Sequence, residues 1–246
     1  MTSLHKLPMG LSLACLMMMS SCSKEDALSP EPKIESVNTS SDLRGGVISA
    51  YLPYLAGTNG QPGLDIYPLN WERNNTNYFS TNSVTLPTGT SSLTQLWGNS
   101  VKWAKPLETI PTAPKANSVV TVTTKACSWA GEFENQASVK TKIKNLIPGK
   151  RYAITYYVAS SIHALQDSNG LSSYATKVRV SLSDEGHGGG NYYVDLTGIK
   201  AEWVAQTVTY AAGSTEADLA FSAITQKGKY AYAHIFVDKN SIIKLD

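Results

Sequence analysis

From Val47 onward the apolar positions recur in short runs, with no helical spacing. β-Branched and aromatic stretches alternate with clusters of Gly, Pro, Asn and Ser, which is how strands and turns read. Strands are predicted at 47–54, 118–124, 138–146, 151–160 and 174–183. More follow at 191–196, 204–212, 216–225, 230–238 and 241–245. Val139, Thr141 and Ile143 alternate with Lys140, Lys142 and Lys144; Val178, Val180 and Leu182 alternate with Lys177, Arg179 and Ser181. One apolar and one wet face marks antiparallel sheets. In "NLIPGKRY", Pro148 pre-sets φ and Gly149 supplies the unusual one, so the stretch is a tight turn. Tyr230, Tyr232, His234 and Phe236 oppose Ala231, Ala233, Ile235 and Val237. Both faces are apolar enough to be buried, which places this strand in the middle of a sheet. The pattern predicts an all-β antiparallel sandwich or jelly roll. Residues 55–117 are less regular and are expected to hold long loops across one edge.

The start of the chain differs in texture. "MTSLHKLPMGLSLACLMMMSSC" has a short opening with Lys6, a Leu/Met-rich run from Met9 to Met19, and small residues before Cys22. It reads as a secretory signal at 1–21, too short and wrongly flanked for a spanning helix. The small residues before Cys22 resemble the lipobox of bacterial lipoproteins, with Met19 a loose match where Leu is usual. That resemblance implies a diacylglycerol on the Cys22 sulfur and a membrane partner; the alternative is a plain cleaved signal followed by an incidental Cys. Each buried methylene of an anchor adds about 0.8 kcal/mol. "CSKEDA" resembles the surface-export signal of Bacteroidota lipoproteins, which implies the outer membrane and exposure on the cell surface. Residues 22–46 are Ser-, Pro- and charge-rich and read as a tether, which as a coil spans roughly 25–30 Å. The sandwich domain is expected over 47–246.

A chain of 246 residues suits one domain or two small ones. With 42% hydrophobic residues, it can bury roughly 70% of its unfolded surface without staples. The 21 basic and 19 acidic residues nearly balance, which argues against nucleic acid as a partner. Beyond Cys15 and Cys22 there is only Cys127, so the body forms no internal disulfide. Cys127 is read as a small buried or half-buried residue.

"ASVKTKIKNLIPGKRYAITYYVAS", "EWVAQTVTYAAGSTEADLAFSA" and "YAYAHIFVDKNSIIKL" resemble, in this order, segments of galactose-binding-like jelly-roll domains, a group that includes many carbohydrate-binding modules. The resemblance covers Ala137 to Leu245 and makes Trp203 a strand-opening core Trp. The fold it implies carries sugar binding, adhesion, protein contacts and accessory roles alike. Such modules often hold one structural calcium, whose ligands the sequence does not locate; no other cofactor is expected.

Candidate chemistry is sparse. "DEGHGGGN" (184–191) looks like an oxyanion-hole His-Gly run, but G-x-S-x-G is missing, so a loop is expected. Asp184, Glu185 and His187 lie close enough to touch one ion, and a solvated loop is the plainer reading, so no metal is assigned. Glu132 and Glu134 would share a strand face, yet a glycosidase needs two carboxylates across a cleft. No triad stands out among His163, His187 and His234. The Lys140, Lys142 and Lys144 stripe suits an acidic polysaccharide or, more simply, a solvated face. The aromatics say more: 13 Tyr and 5 Trp against 4 Phe favour half-wet surfaces and sugar faces. Trp71, Trp97, Trp103 and Trp129 are the candidate stacking residues, each weighed against a core role.

These readings converge on a non-enzymatic surface lipoprotein whose sandwich binds glycan. The alternative is a structural or protein-binding accessory lipoprotein with an outer-membrane protein partner, in an uptake or adhesion complex. A glycoside hydrolase or lyase is the remaining expectation.

Overall fold

A computed structural model describes residues 52–75, 86–126, 136–167, 169–185 and 189–246, all within one unit, Ser49–Asp246. Among the described residues thirteen strands run in order: β1 Tyr54–Leu55, β2 Gly63–Leu64, β3 Trp71–Arg73, β4 Thr88–Ser92, β5 Ser118–Lys125, β6 Ser138–Lys144 and β7 Arg151–Ser161. After them come β8 Lys177–Ser183, β9 Gly190–Asp195, β10 Val204–Ala211, β11 Ala217–Ile224, β12 Tyr230–Phe236 and β13 Ile242–Lys244. A one-turn helix, α1 (Ala164–Asp167), follows β7. The chain is an antiparallel β-sandwich of the jelly-roll class. One sheet orders β1-β6-β11-β8-β9, with β3 also on β6; the other orders β10-β7-β12-β5-β4-β2, with β13 also on β7.

The alternation seen in sequence becomes the core. Val139 and Ile143 of β6, Val178, Val180 and Leu182 of β8, and Leu219 and Phe221 of β11 line one inner face. Val120 and Val122 of β5, Ile154, Tyr156 and Val158 of β7, and Ala231, Ala233 and Ile235 of β12 line the other. At about 25 cal/mol per Å² of buried apolar surface, this layer is the main stabilising term. The lysine stripe on β6 lies outside, and two of its three members are paired: Lys140 with Glu72 at 3.3 Å, and Lys142 with Asp218 at 3.0 Å and Glu216 at 3.7 Å. Such exposed pairs are worth about 1 kcal/mol or less. The β6–β7 turn closes with Lys150 N–H on the Ile147 carbonyl at 3.1 Å, and Gly149 takes φ 81° at its third position.

The central position of β12 is as expected, between β7 and β5. The loops of 55–117 lie differently from the expectation of an edge covering. The described part of 93–117 crosses the outer face of the β5–β12–β7 sheet. Leu96 and Trp103 pack on Tyr232; Ile110 and Ala116 pack on Val119 and Phe236; Leu107 packs on Ala159. This sheet is therefore buried on both faces, which is why β5 is almost continuously buried despite its threonines. His234, wholly buried on the outer face, bonds Thr121 Oγ1 through Nδ1 at 2.9 Å. Trp103 stands edge-on to its ring at 5.2 Å.

Burial holds the His234 imidazole neutral, its pKa lowered from 6.5 to about 3. Between those values the unfolded chain binds a proton that the folded chain refuses, so stability is full above pH 6.5 and falls as pH drops. The expected slope from this residue is about 1.4 kcal/mol per pH unit. In denaturant titrations from pH 7 to pH 4 the parent should lose stability more steeply than His234→Leu, the difference in slope being about one proton.

Candidate functional site

The four candidate stacking tryptophans fare differently. Trp71 is 5% exposed; it faces the core from β3 and donates its indole N–H to the Ala56 carbonyl at 3.0 Å. Trp103 is 3% exposed and donates to the Ser92 carbonyl at 3.1 Å. Neither ring offers a free face, which corrects the expectation for both: each closes an apolar layer and satisfies its one polar atom inside. Trp97 is half-buried and keeps part of its ring in solvent. Trp129 lies outside the described residues, as do Cys22, Cys127, Glu132, Glu134 and His187. Trp203 is half-buried; it donates to the Glu108 carbonyl at 2.9 Å and pins the covering loop to the start of β10.

Asp184, weighed as an ion ligand, is engaged otherwise. Its Oδ2 accepts from the Tyr210 hydroxyl and, at 2.7 Å, from Gly213 N–H. The bond ties the end of β8 to the end of β10. Burial, with the Asp184 carboxylate second, pushes the Tyr210 pKa above its usual range. Among the described residues no group of three His, Cys, Asp or Glu could hold a metal.

Among the described residues, an open concavity lies at one end of the sandwich. It has a volume of about 500 Å³, between the β7–β8, β9–β10 and β11–β12 connections. Its floor is apolar: Ile162, Ala175 and Leu196, all buried. Its rim carries Asp167, Tyr174, Lys200 and Gln226. Backbone bonds fix these connections. Ala175 N–H donates to Ser160 Oγ at 2.7 Å, and Ser160 Oγ–H to the Tyr232 carbonyl at 2.9 Å. Leu196 N–H reaches Thr176 O at 2.8 Å, and Ala201 N–H reaches Ser160 O at 3.2 Å. A turn from Leu196 to Ile199 closes at 3.0 Å, with Gly198 at φ 82°.

Helix α1 brings Asp167 to the rim. Its Gln166 Oε1 accepts from the Ser172 hydroxyl at 2.8 Å and from the Tyr232 hydroxyl at 3.4 Å. Tyr174 packs on Leu107, Ala159 and Ala201 and lines the concavity. Burial, then the nearby Asp167 carboxylate, raises its hydroxyl pKa, while Lys105 pulls the other way. The hydroxyl is therefore a donor at neutral pH. Among the described residues nothing bonds the Tyr174 hydroxyl, the Asp167 carboxylate, the Lys200 ammonium or the Gln226 amide. A ring face over an apolar floor, with an acceptor, a cation and an amide around it, suits a polyhydroxylated ligand. Asp167 is the carboxylate that lines the cleft among the described residues.

The sequence pattern does not single out this site: it places Tyr174 at the start of a strand over 174–183, whereas β8 begins at Lys177 and leaves Tyr174 on the connection. The available signal was "SIHALQDSNGLSSY", a long polar connection between two strongly alternating strands, where binding residues concentrate.

No protein-family model matches the chain, and no curated protein does. Solved structures similar to it include TmCBM61 in complex with β-1,4-galactotriose, at 13% identity, 63% of this chain and 86% of that one, TM-score 0.33. A family 16 carbohydrate-binding module is 12% identical over 61% of this chain and 88% of that one, TM-score 0.32. A cyclase from Fischerella sp. TAU in complex with 4-(1H-indol-3-yl)butan-2-one is 14% identical over 81% and 93%, TM-score 0.43.

The buried role of Trp103 has a measurable consequence. Trp103→Ala should lower unfolding free energy by about 3–5 kcal/mol, measured by denaturant melts, because it strips cover from Tyr232 and His234 together.

Proposed function

We propose that this protein is a lipid-anchored surface lipoprotein whose sandwich holds a glycan in the end cleft without transforming it. The observation that carries the reading is the Tyr174 ring over an apolar floor, ringed by Asp167, Lys200 and Gln226 side chains that have no described partner. Side chains pre-placed on a hydrogen-bonded frame lose little freedom on binding, so their bonds to hydroxyl groups add affinity. The ring covers the apolar face of a sugar, the carboxylate accepts from paired hydroxyls, and the ammonium and amide donate. The Cys22 signal and the "CSKEDA" stretch support an outer-membrane anchor of the Bacteroidota type, with the domain displayed to the medium.

Titration calorimetry on hits from an array of plant, host and microbial glycans tests the binding. Tyr174→Ala should weaken affinity at least about tenfold, roughly 1.4 kcal/mol, while the circular dichroism spectrum of the folded domain is kept; silence across the whole array overturns the reading. The anchor is tested separately in cells. Cys22→Ala should abolish labelling by a fatty-acid probe and move the protein out of the membrane fraction.

A further inference from the structure

Next to the cleft, residues 95–102 form a tight hairpin. Gln95 and Lys102 pair at its base as an antiparallel bridge, and Leu96 N–H reaches Val101 O at 2.9 Å. Trp97 sits in its turn at φ 52°, ψ 17°, and Gly98 follows at φ 68°. A left-handed backbone is ordinary for Gly and costly for a bulky residue such as Trp. Four bonds hold Trp97 and its turn there: Trp97 N–H to Ser91 Oγ at 3.3 Å, Asn99 N–H to Leu96 O at 3.2 Å, Val101 N–H to Asn99 Oδ1 at 2.8 Å, and the hairpin bond above. The result is a Trp that packs against the Leu96–Trp103–Tyr232 cluster and keeps part of its surface in solvent. Among the described residues nothing accepts from its indole N–H. Trp71, Trp103 and Trp203 each bond a carbonyl instead.

The hairpin is joined to the cleft wall. Ala164 N–H, at the start of α1, donates to Lys102 O at 3.0 Å; Ala104 N–H donates to Ile162 O at 2.9 Å; and Trp103 bridges His163. Chain geometry puts the Trp97 backbone roughly 10–15 Å from α1. We infer that Trp97 is an outer stacking platform for an oligosaccharide whose first unit sits in the cleft, so that the protein reads a chain and not a single sugar. This inference rests on the glycan reading of the cleft and extends it. Gln95 and Lys102, with an amide and an ammonium free of described partners, supply donors beside the ring. The strained turn is the feature a purely structural Trp does not need: a Gly would sit there more easily, at the loss of the half-buried ring.

The test is calorimetry on the mature chain with malto-, cello-, xylo- and galacto-oligosaccharides of one to six units, on the parent, Trp97→Ala, Trp97→Phe, Trp97→Gly and Tyr174→Ala. The expected result is that Trp97→Ala weakens the longer members of the bound series on the order of tenfold, leaves the mono- and disaccharide unchanged, and keeps its melting temperature. Trp97→Phe retains most of the affinity. Trp97→Gly melts no lower than the parent yet loses the same length dependence. Equal affinity of parent and Trp97→Ala at every length, with Tyr174→Ala still impaired, overturns the outer platform and leaves the cleft reading standing. A loss at every length accompanied by a lower melting temperature also overturns it, since the ring would then be packing. If the parent binds no member of any series, both fall.

Discussion

The structure depends on one sheet being buried twice. The β5–β12–β7 face that looks inward meets the opposite sheet, and the face that looks outward is sealed by the 93–117 loop. A sheet with one wet face would expose Phe236, Tyr232 and Val119, which are all nearly inaccessible. Trp103 is the keystone of that seal, over Tyr232 at 5.6 Å and His234 at 5.2 Å. Burial that large gains apolar contact, and it carries a polar cost. Thr123, Ser161 and His234 share the sealed region and each keeps a polar atom without a described partner. Such an atom costs about 1–3 kcal/mol. The seal is thus held by its apolar clusters and tolerated by its polar groups.

The same seal fixes the end of the sandwich that carries the cleft. The covering loop does not stop at the sheet: Ala104 bonds Ile162, Lys102 bonds Ala164, and Lys105 Nζ donates to Lys200 O at 3.1 Å and meets Glu202 at 3.3 Å. Three connections that would otherwise be separate are tied to one another at the cleft. Tyr174 rests on Leu107 of the cover and Ala159 of the sheet, so its ring is set by the core and not by its own loop. Asp167 is set by α1, which Gln166 fastens to Tyr232. The rim side chains are therefore free to meet a ligand while their backbones are not free to move, the condition under which binding loses little entropy.

Asp184 shows the opposite use of a loop carboxylate. The stretch that looked like an oxyanion hole has an acid that two groups of the β10–β11 region already occupy. The local sequence, an Asp beside Glu, His and Gly, is equally compatible with a ligand site and a brace. What separates the two is a tyrosine 26 residues away.

Much of the sandwich was legible from alternation. The strand positions from Ser118 to Lys244, the turn at Gly149 and the middle place of β12 all follow from which residues recur at period two, because a pleated strand puts neighbours on opposite faces and water sorts them. β2, β3 and β4 were not legible: two or three residues, or a Gly/Ser/Thr run such as "TGTSS", carry no period to read. The site was least legible of all. Whether a Trp is core or platform depends on what lies across from it, and Trp71 and Trp97 look alike in sequence. Tyr174, Asp167, Lys200 and Gln226 come from three connections that only the stacking of the sheets brings to one end. The chain by itself determined the layered β architecture, since burial of alternate side chains is a local property. Only the tertiary structure decided which face the long loop covers, which rings remain in water, and where a cleft opens, because those follow from contacts between residues far apart along the chain.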